Sequence, residues 1–207
     1  MIKYQLFTIC ACATLALVSC DNPADDTTDA EVSVAKEVLA KGADGAKIYN
    51  FTENSKITFI GSKLTGSMSG GFKKTEGAFK LKDGKPVSGS FTIDMNSIYS
   101  ENDKLTAHLK NEDFFNVPQF PIAKFEVTEF GSMEDNVQLL SGNLTMLGVT
   151  KNITIPAKVA QSEEMVKLTS KFDINRHDWG IVYKGKPDDL IRNEVVIEFD
   201  LEAKVNK

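Results

Sequence analysis

From Ala46 onward, polar and apolar residues alternate along most of the chain, most sharply in two places. In "VSGSFTIDMN", Val87, Gly89, Phe91, Ile93 and Met95 fall on one side and Ser88, Ser90, Thr92, Asp94 and Asn96 on the other. In "VVIEFDLEAKV", Val195, Ile197, Phe199, Leu201, Ala203 and Val205 oppose Glu198, Asp200, Glu202 and Lys204. Successive side chains of a strand point to opposite faces, so each stretch predicts a strand with one buried and one wet face. Weaker versions recur at residues 47–51, 56–62, 71–81, 123–130, 137–146, 152–159 and 166–175, with turn-forming segments such as "KDGKP" and "LGVTK" between them. Eight or nine antiparallel strands with almost no competing helix predict an all-β domain, closed as a barrel or packed as a sandwich. The long runs and the shortage of helices to cover a sheet face favour the barrel, which leaves no bare edge. No internal repeat or second domain is visible.

The N-terminus adds a location. Lys3 precedes an almost uncharged apolar run from Tyr4 to Val18, too short for a membrane span and suited to an export signal. The run ends in Leu17-Val18-Ser19-Cys20, which resembles the lipobox of bacterial lipoproteins. Residues 1–19 are therefore expected to be a signal peptide and Cys20 the lipidated first residue of the mature chain, with an uncleaved anchor helix as the alternative. Cys10, Cys12 and Cys20 are the three cysteines, so the mature body holds no internal disulfide. A body of about 160 residues is large enough to do without one. Residues 20–46, rich in Asp, Ala and Thr, predict a flexible acidic tether spanning roughly 28 Å, with some helical periodicity over residues 32–41. The net charge of −5 argues against nucleic acid or an anionic lipid surface as partner. The expected location is the bacterial cell envelope, anchored on the periplasmic side or at the cell surface.

Candidate chemistry is sparse. In "TAHLKNEDFF", His108 and Glu112 stand four residues apart, a spacing that on a helix would suit a metal or an acid/base pair. The other histidine, His177, offers no suitable third ligand, so no metal is expected. Leu105, Leu109, Phe114 and Phe115 surround His108, and Pro118 and Pro121 end the segment. It reads as a short crossover helix on the barrel, with His108 either structural or lining the ligand entrance. Residues 180–187, "GIVYKGKP", approach a phosphate-loop spacing, but Pro187 stands where a hydroxyl is required, so they read as a β-turn. There is no G-x-S-x-G nucleophile elbow, and the carboxylates are scattered on solvent faces. No enzymatic activity is expected. The sequons at Asn143 and Asn152 are read as chance matches.

Three segments together, "HLKNEDFFNVPQFPIAKFE", "GNLTMLGVTKNITIPAKV" and "FDINRHDWGIVY", resemble the YceI family over roughly residues 49–205. The specific features are His108-Leu109 with Asp113-Phe114-Phe115, Pro121 with Phe125, Gly142-x-Leu144-Thr145, the run from Leu147 to Lys151, and Arg176 with Asp178-Trp179-Gly180. The resemblance implies an extended antiparallel eight-stranded lipocalin-like β-barrel over residues 47–207, often a homodimer, whose lumen holds an isoprenoid or similar long-chain lipid. No other cofactor is implied. The lipobox and the tether are additions to that pattern.

The presumed inward set is Phe51, Phe59, Phe72, Phe91, Ile93, Met95, Phe125, Val127, Leu144, Phe172, Ile197 and Phe199. In an apolar tube so lined, each buried methylene of a ligand contributes about 0.8 kcal/mol. Periodicity does not distinguish a hollow tube from a filled core, and a filled barrel would suit a surface interaction or stress-related scaffold. At the mouth, His108, Arg176, Asp178 and Trp179 are candidates. The last three would either fix a lipid headgroup or form a barrel-closing salt bridge and plug. The expected function is that of a membrane-tethered lipid-binding protein sequestering or carrying an isoprenoid, quinone-like or fatty-amide chain.

Overall fold

The computed structural model describes residues 22–39 and 45–205. Fourteen strands and one α-helix follow in chain order: β1 (Thr28–Asp29), β2 (Glu31–Val34), β3 (Lys47–Phe51), β4 (Lys56–Lys63), β5 (Gly66–Phe72), β6 (Thr75–Lys82), β7 (Lys85–Asp94), β8 (Ile98–Ser100), α1 (Asp103–Leu109), β9 (Ile122–Glu134), β10 (Val137–Met146), β11 (Val149–Gln161), β12 (Met165–Asn175), β13 (Gly185–Lys186) and β14 (Asp189–Val205). Three 3₁₀ turns, Pro23–Asp26, Met95–Ser97 and Arg176–Trp179, punctuate them.

The registers show that β3 with β4, β5 with β6, and β7 with β8 are long strands each broken once. Lys47 faces Leu81 and Asn50 faces Ala78, and the same hairpin resumes with Ile57 opposite Phe72 and Lys63 opposite Gly66. Counting each broken pair once gives eight strands, ending with β9, β10, β11, β12 and β14, and β14 pairs with both β12 and the β3–β4 strand to close the ring. This is the closed antiparallel barrel that the alternation favoured. Strands predicted at 47–51 and 137–146 have the observed bounds, whereas the stretch 71–81 is split at residues 73–74. At one end lie the tight turns at Asp83-Gly84 and Asp135-Asn136, all four residues having positive φ as two-residue hairpins demand. The other end carries α1, the Leu147-Gly148 turn and the connection from β12 to β14.

Residues 22–34 overturn the expectation of a solvated tether. Asn22 caps the Pro23–Asp26 turn, which packs on β14, and Ala24 is buried. β11 and β12 pair only from Lys158↔Thr169 to Gln161↔Val166, so the wall parts beyond that point. The N-terminal segment enters the gap: β1 runs parallel to β12 at Phe172 and Asp173, and β2 runs antiparallel to β11 from Thr154 to Lys151. Residues 32–34, predicted at the start of a helical stretch, are therefore strand. Further along, the Asn143 side chain accepts from the Lys36 N–H and donates to its carbonyl, copying a strand pairing. Asn152 donates to Thr128 Oγ1 and Asn143 Oδ1, leaving both sequon asparagines buried beneath the strap. Hydrogen bonding to a pre-formed strand edge outweighs the polar composition from which a coil was inferred. Residues 1–21 and 40–44, including the signal segment and Cys20, lie outside the described residues.

Asp173, 3 % exposed, accepts the Thr27 hydroxyl at 2.7 Å and anchors the strap. Burial pushes its carboxyl above the ordinary aspartate range; Thr27 opposes this, while Asp29 and Glu194 add to it. The folded state thus holds this proton more tightly than the unfolded chain, and its stability falls as pH rises above the ordinary aspartate value. Asp173→Asn keeps an acceptor for Thr27 without the charge. It is expected to protect the amides of residues 28–34 more strongly at neutral pH and to flatten their pH dependence in hydrogen exchange.

Candidate functional site

Beneath α1 the barrel encloses a cavity of about 130 Å³. Its walls come from β4 (Ile57, Phe59), β5 (Phe72), β7 (Phe91, Ile93), β9 (Ala123), β10 (Leu144, Met146), β12 (Ile174) and β14 (Ile191, Val195, Ile197, Phe199), with Met95 beside them. Leu109, Phe114, Phe115 and Ile181 close the end. The surface offered to a guest is wholly apolar.

Of the predicted lumen residues, Phe59, Phe72, Phe91, Ile93, Met95, Leu144, Ile197 and Phe199 line this cavity. Phe51, Phe125, Val127 and Phe172 do not. They belong to the core in which Phe91 stacks on Phe125 at 5.1 Å, Phe199 meets Phe91 and Phe172 edge-on at 5.3 and 5.1 Å, and Phe51 bridges Phe79 and Phe91. Gly142 makes room for this packing, because a Cβ there would overlap the Phe125 ring. The lumen is thus packed by these rings through its middle, retains only a small void of about 20 Å³ towards the tight turns, and is hollow beneath α1. The sequence reading missed Ile57, Ala123, Met146, Ile174, Ile191 and Val195. All but Ile191 continue the parity of a predicted neighbour on their own strand without interruption, so extending the alternation finds them; Ile191 lies beyond a register irregularity in β14 that the alternation does not show.

The cap separates His108 from Glu112, favours the structural reading of His108 and the plug reading of Trp179, and leaves Arg176, among the described residues, without the predicted salt bridge. The Asn102 side chain accepts from the Leu105 N–H to start α1, which ends at Leu109 with Lys110 as C-cap. Glu112 lies beyond it, so it shares no helical face with His108. His108 sits edge-on to Phe114 and Tyr183, both at 4.9 Å, with Nε2 3.6 Å from the Asp113 carboxylate. It ties α1 to the loop after the Arg176–Trp179 turn and does not line the cavity. Arg176 is buried, with Nε donating to the Arg192 carbonyl at 3.0 Å, Nη1 to Ile181 at 2.5 Å and Nη2 to Ile191 at 3.4 Å. Burial draws its pKa below the ordinary guanidinium value, opposed by Glu194. Because the cavity surface is apolar, Arg176 presents its aliphatic stem there and its charge to backbone carbonyls. It fastens the closing loop without the predicted salt bridge: among the described residues no ion pair joins it to half-exposed Asp178. Trp179 is 0 % exposed and donates Nε1–H to the Leu144 carbonyl at 3.1 Å. It is a core plug, not a mouth residue.

A closed eight-stranded antiparallel barrel with an apolar chamber at its capped end is a lipocalin-like barrel. The chain belongs to the YceI-like family, whose domain model matches residues 49–203. A UPF0312 protein of Pseudomonas putida strain F1 is 26 % identical over 183 residues, covering 83 % of this chain and 95 % of the relative. Another from Pseudomonas aeruginosa strain LESB58 is 30 % identical over 138 residues, covering 64 % and 72 %. Among solved structures, Burkholderia cenocepacia BcnA matches the fold with a TM-score of 0.67 at 24 % identity, covering 72 % of this chain and 96 % of its own. A polyisoprenoid binding domain from Saccharophagus degradans, implicated in plant cell wall breakdown, matches with a TM-score of 0.65 at 17 % identity, covering 78 % and 99 %.

Proposed function

We propose that the protein is a membrane-tethered lipid carrier that takes the apolar tail of an isoprenoid or similar long-chain amphiphile into the barrel. The wholly apolar chamber beneath α1 is the observation that carries this reading. With no polar group to satisfy there, the driving force is hydrophobic transfer, about 0.8 kcal/mol for each buried methylene. The shared fold with a domain described as polyisoprenoid binding supports the class of ligand. At about 130 Å³ the chamber is close in size to a cavity of roughly 150 Å³ that admits benzene. It therefore accepts the end of a chain as it stands, and deeper insertion turns the Phe91 and Phe199 rings aside. Lipidation at Cys20 would hold the barrel near its source of lipid.

Mass spectrometry of an organic extract of the purified full chain tests the reading. A long-chain lipid at close to one per protein is the expected result; an extract without a stoichiometric lipid from protein purified out of membranes contradicts it. The aromatic packing of the filled half favours a second reading, a scaffold with a solid core. That scaffold would release no lipid and would instead retain a protein partner on its outer face.

A further inference from the structure

We propose that the capped end of the barrel is a membrane-docking surface, seated on the bilayer by Leu64, Val182 and Leu190 so that the capped end of the chamber faces the lipid. This deepens the carrier reading and rests on lipidation at Cys20. Asn22 stands two residues after Cys20, and its Oδ1 accepts from the Ser62 hydroxyl at 3.4 Å on the outer wall of β4. Two residues span at most about 7 Å, so an anchored Cys20 would keep Ser62 close to the headgroups. The docked strap thus replaces a long loose tether with a short, directional one.

Ser62 is two residues from Leu64, in the turn between β4 and β5. There Leu64 N–H donates to the Leu190 carbonyl at 3.3 Å, and β13 and β14 form a small hairpin beside it. Val182, Leu64 and Leu190 are 60, 49 and 44 % exposed. Ile181 and Ile191, the immediate neighbours of Val182 and Leu190, are cavity wall, so at these two positions the exposed rim and the chamber are two faces of one thin layer. The charges around the rim fit a zwitterionic surface. Lys184 and Lys186 are exposed, as are Asp25, Asp26 and Asp188, while Lys63 pairs with Asp189. Lysine stems can lie along the apolar layer with their ammonium groups at the phosphates. The opposite end, at the turns after β6 and β9, is roughly 40 Å away along tilted strands and cannot touch the same bilayer face.

With Cys20 acylated, a single introduced cysteine is the only free thiol, because Cys10 and Cys12 leave with the signal segment. The test labels Leu64→Cys, Leu190→Cys and Glu134→Cys with bimane in the full chain recovered from bacterial membranes and reconstituted in phosphatidylcholine vesicles carrying a shallow spin-labelled lipid. Circular dichroism checks that each variant is folded. Quenching at positions 64 and 190 with bright emission at 134 supports the surface. Equal emission at all three sites in membrane-bound protein overturns the docking while leaving the anchor standing, as does quenching confined to 134. Protein found only in the soluble fraction removes the anchor and the docking together.

Discussion

Ala123→Phe is expected to abolish lipid uptake while leaving the barrel folded. Ala123 is 2 % exposed, faces Ile93 across β7 and β9, and lines the chamber with its methyl group. A phenyl ring built from that position occupies the space that a guest would take. Overpacking a full core costs about 1–3 kcal/mol, but here the ring enters a void and that cost is reduced. Excluding a five-carbon unit forfeits about 4 kcal/mol of transfer energy, close to a thousandfold in Kd. Titration with a fluorescent long-chain amphiphile measures the affinity and urea unfolding the stability. A folded variant that still binds at the original affinity places the guest elsewhere.

Trp179→Ala is expected to be the most destabilising single change near the chamber, at about 3–5 kcal/mol. The indole is entirely buried, and its N–H satisfies the Leu144 carbonyl, an acceptor left without that partner in the variant. Trp179→Phe refills most of the volume but not the hydrogen bond, so it is expected to lose about 1 kcal/mol beyond its packing deficit. If Trp179 served a lipid headgroup at a mouth, both variants would weaken binding and leave the urea midpoint nearly unchanged. Separating the midpoint from the affinity therefore separates plug from mouth.

These two residues also show what the sequence reveals and where it stops. The alternation in "VSGSFTIDMN" and "VVIEFDLEAKV" gave strand, face and parity together, because a one-sided sheet leaves its period in the chain. It named eight of the cavity-lining residues on that basis alone or with the family pattern. Phe125 and Phe172 have the same pattern as Phe91 and Phe199, yet two pack solid and two border a void. That difference depends on ring stacking and on the missing side chain at Gly142, which are three-dimensional facts. Trp179 and Arg176 belonged to a recognisable motif, but their polar atoms find backbone carbonyls on β10, on β14 and in the loop at Ile181, and such partners have no sequence signature. The strap was hidden for a related reason. Its two short strands are exposed on both faces, Val32 and Val34 included, and only the parting of β11 from β12 creates the edge that orders them.

Trp179 is the only tryptophan in the chain and donates to the carbonyl of Leu144, a wall residue of the chamber, so its emission reports on a guest there at one residue's remove. Titration of delipidated protein with an amphiphile brominated along its tail is the most direct test of the proposed hollow. Saturable quenching at one tail per protein, lost in Ala123→Phe, is the predicted result. Emission indifferent to the brominated tail, or quenching that persists undiminished in Ala123→Phe, would contradict an apolar chamber that receives lipid.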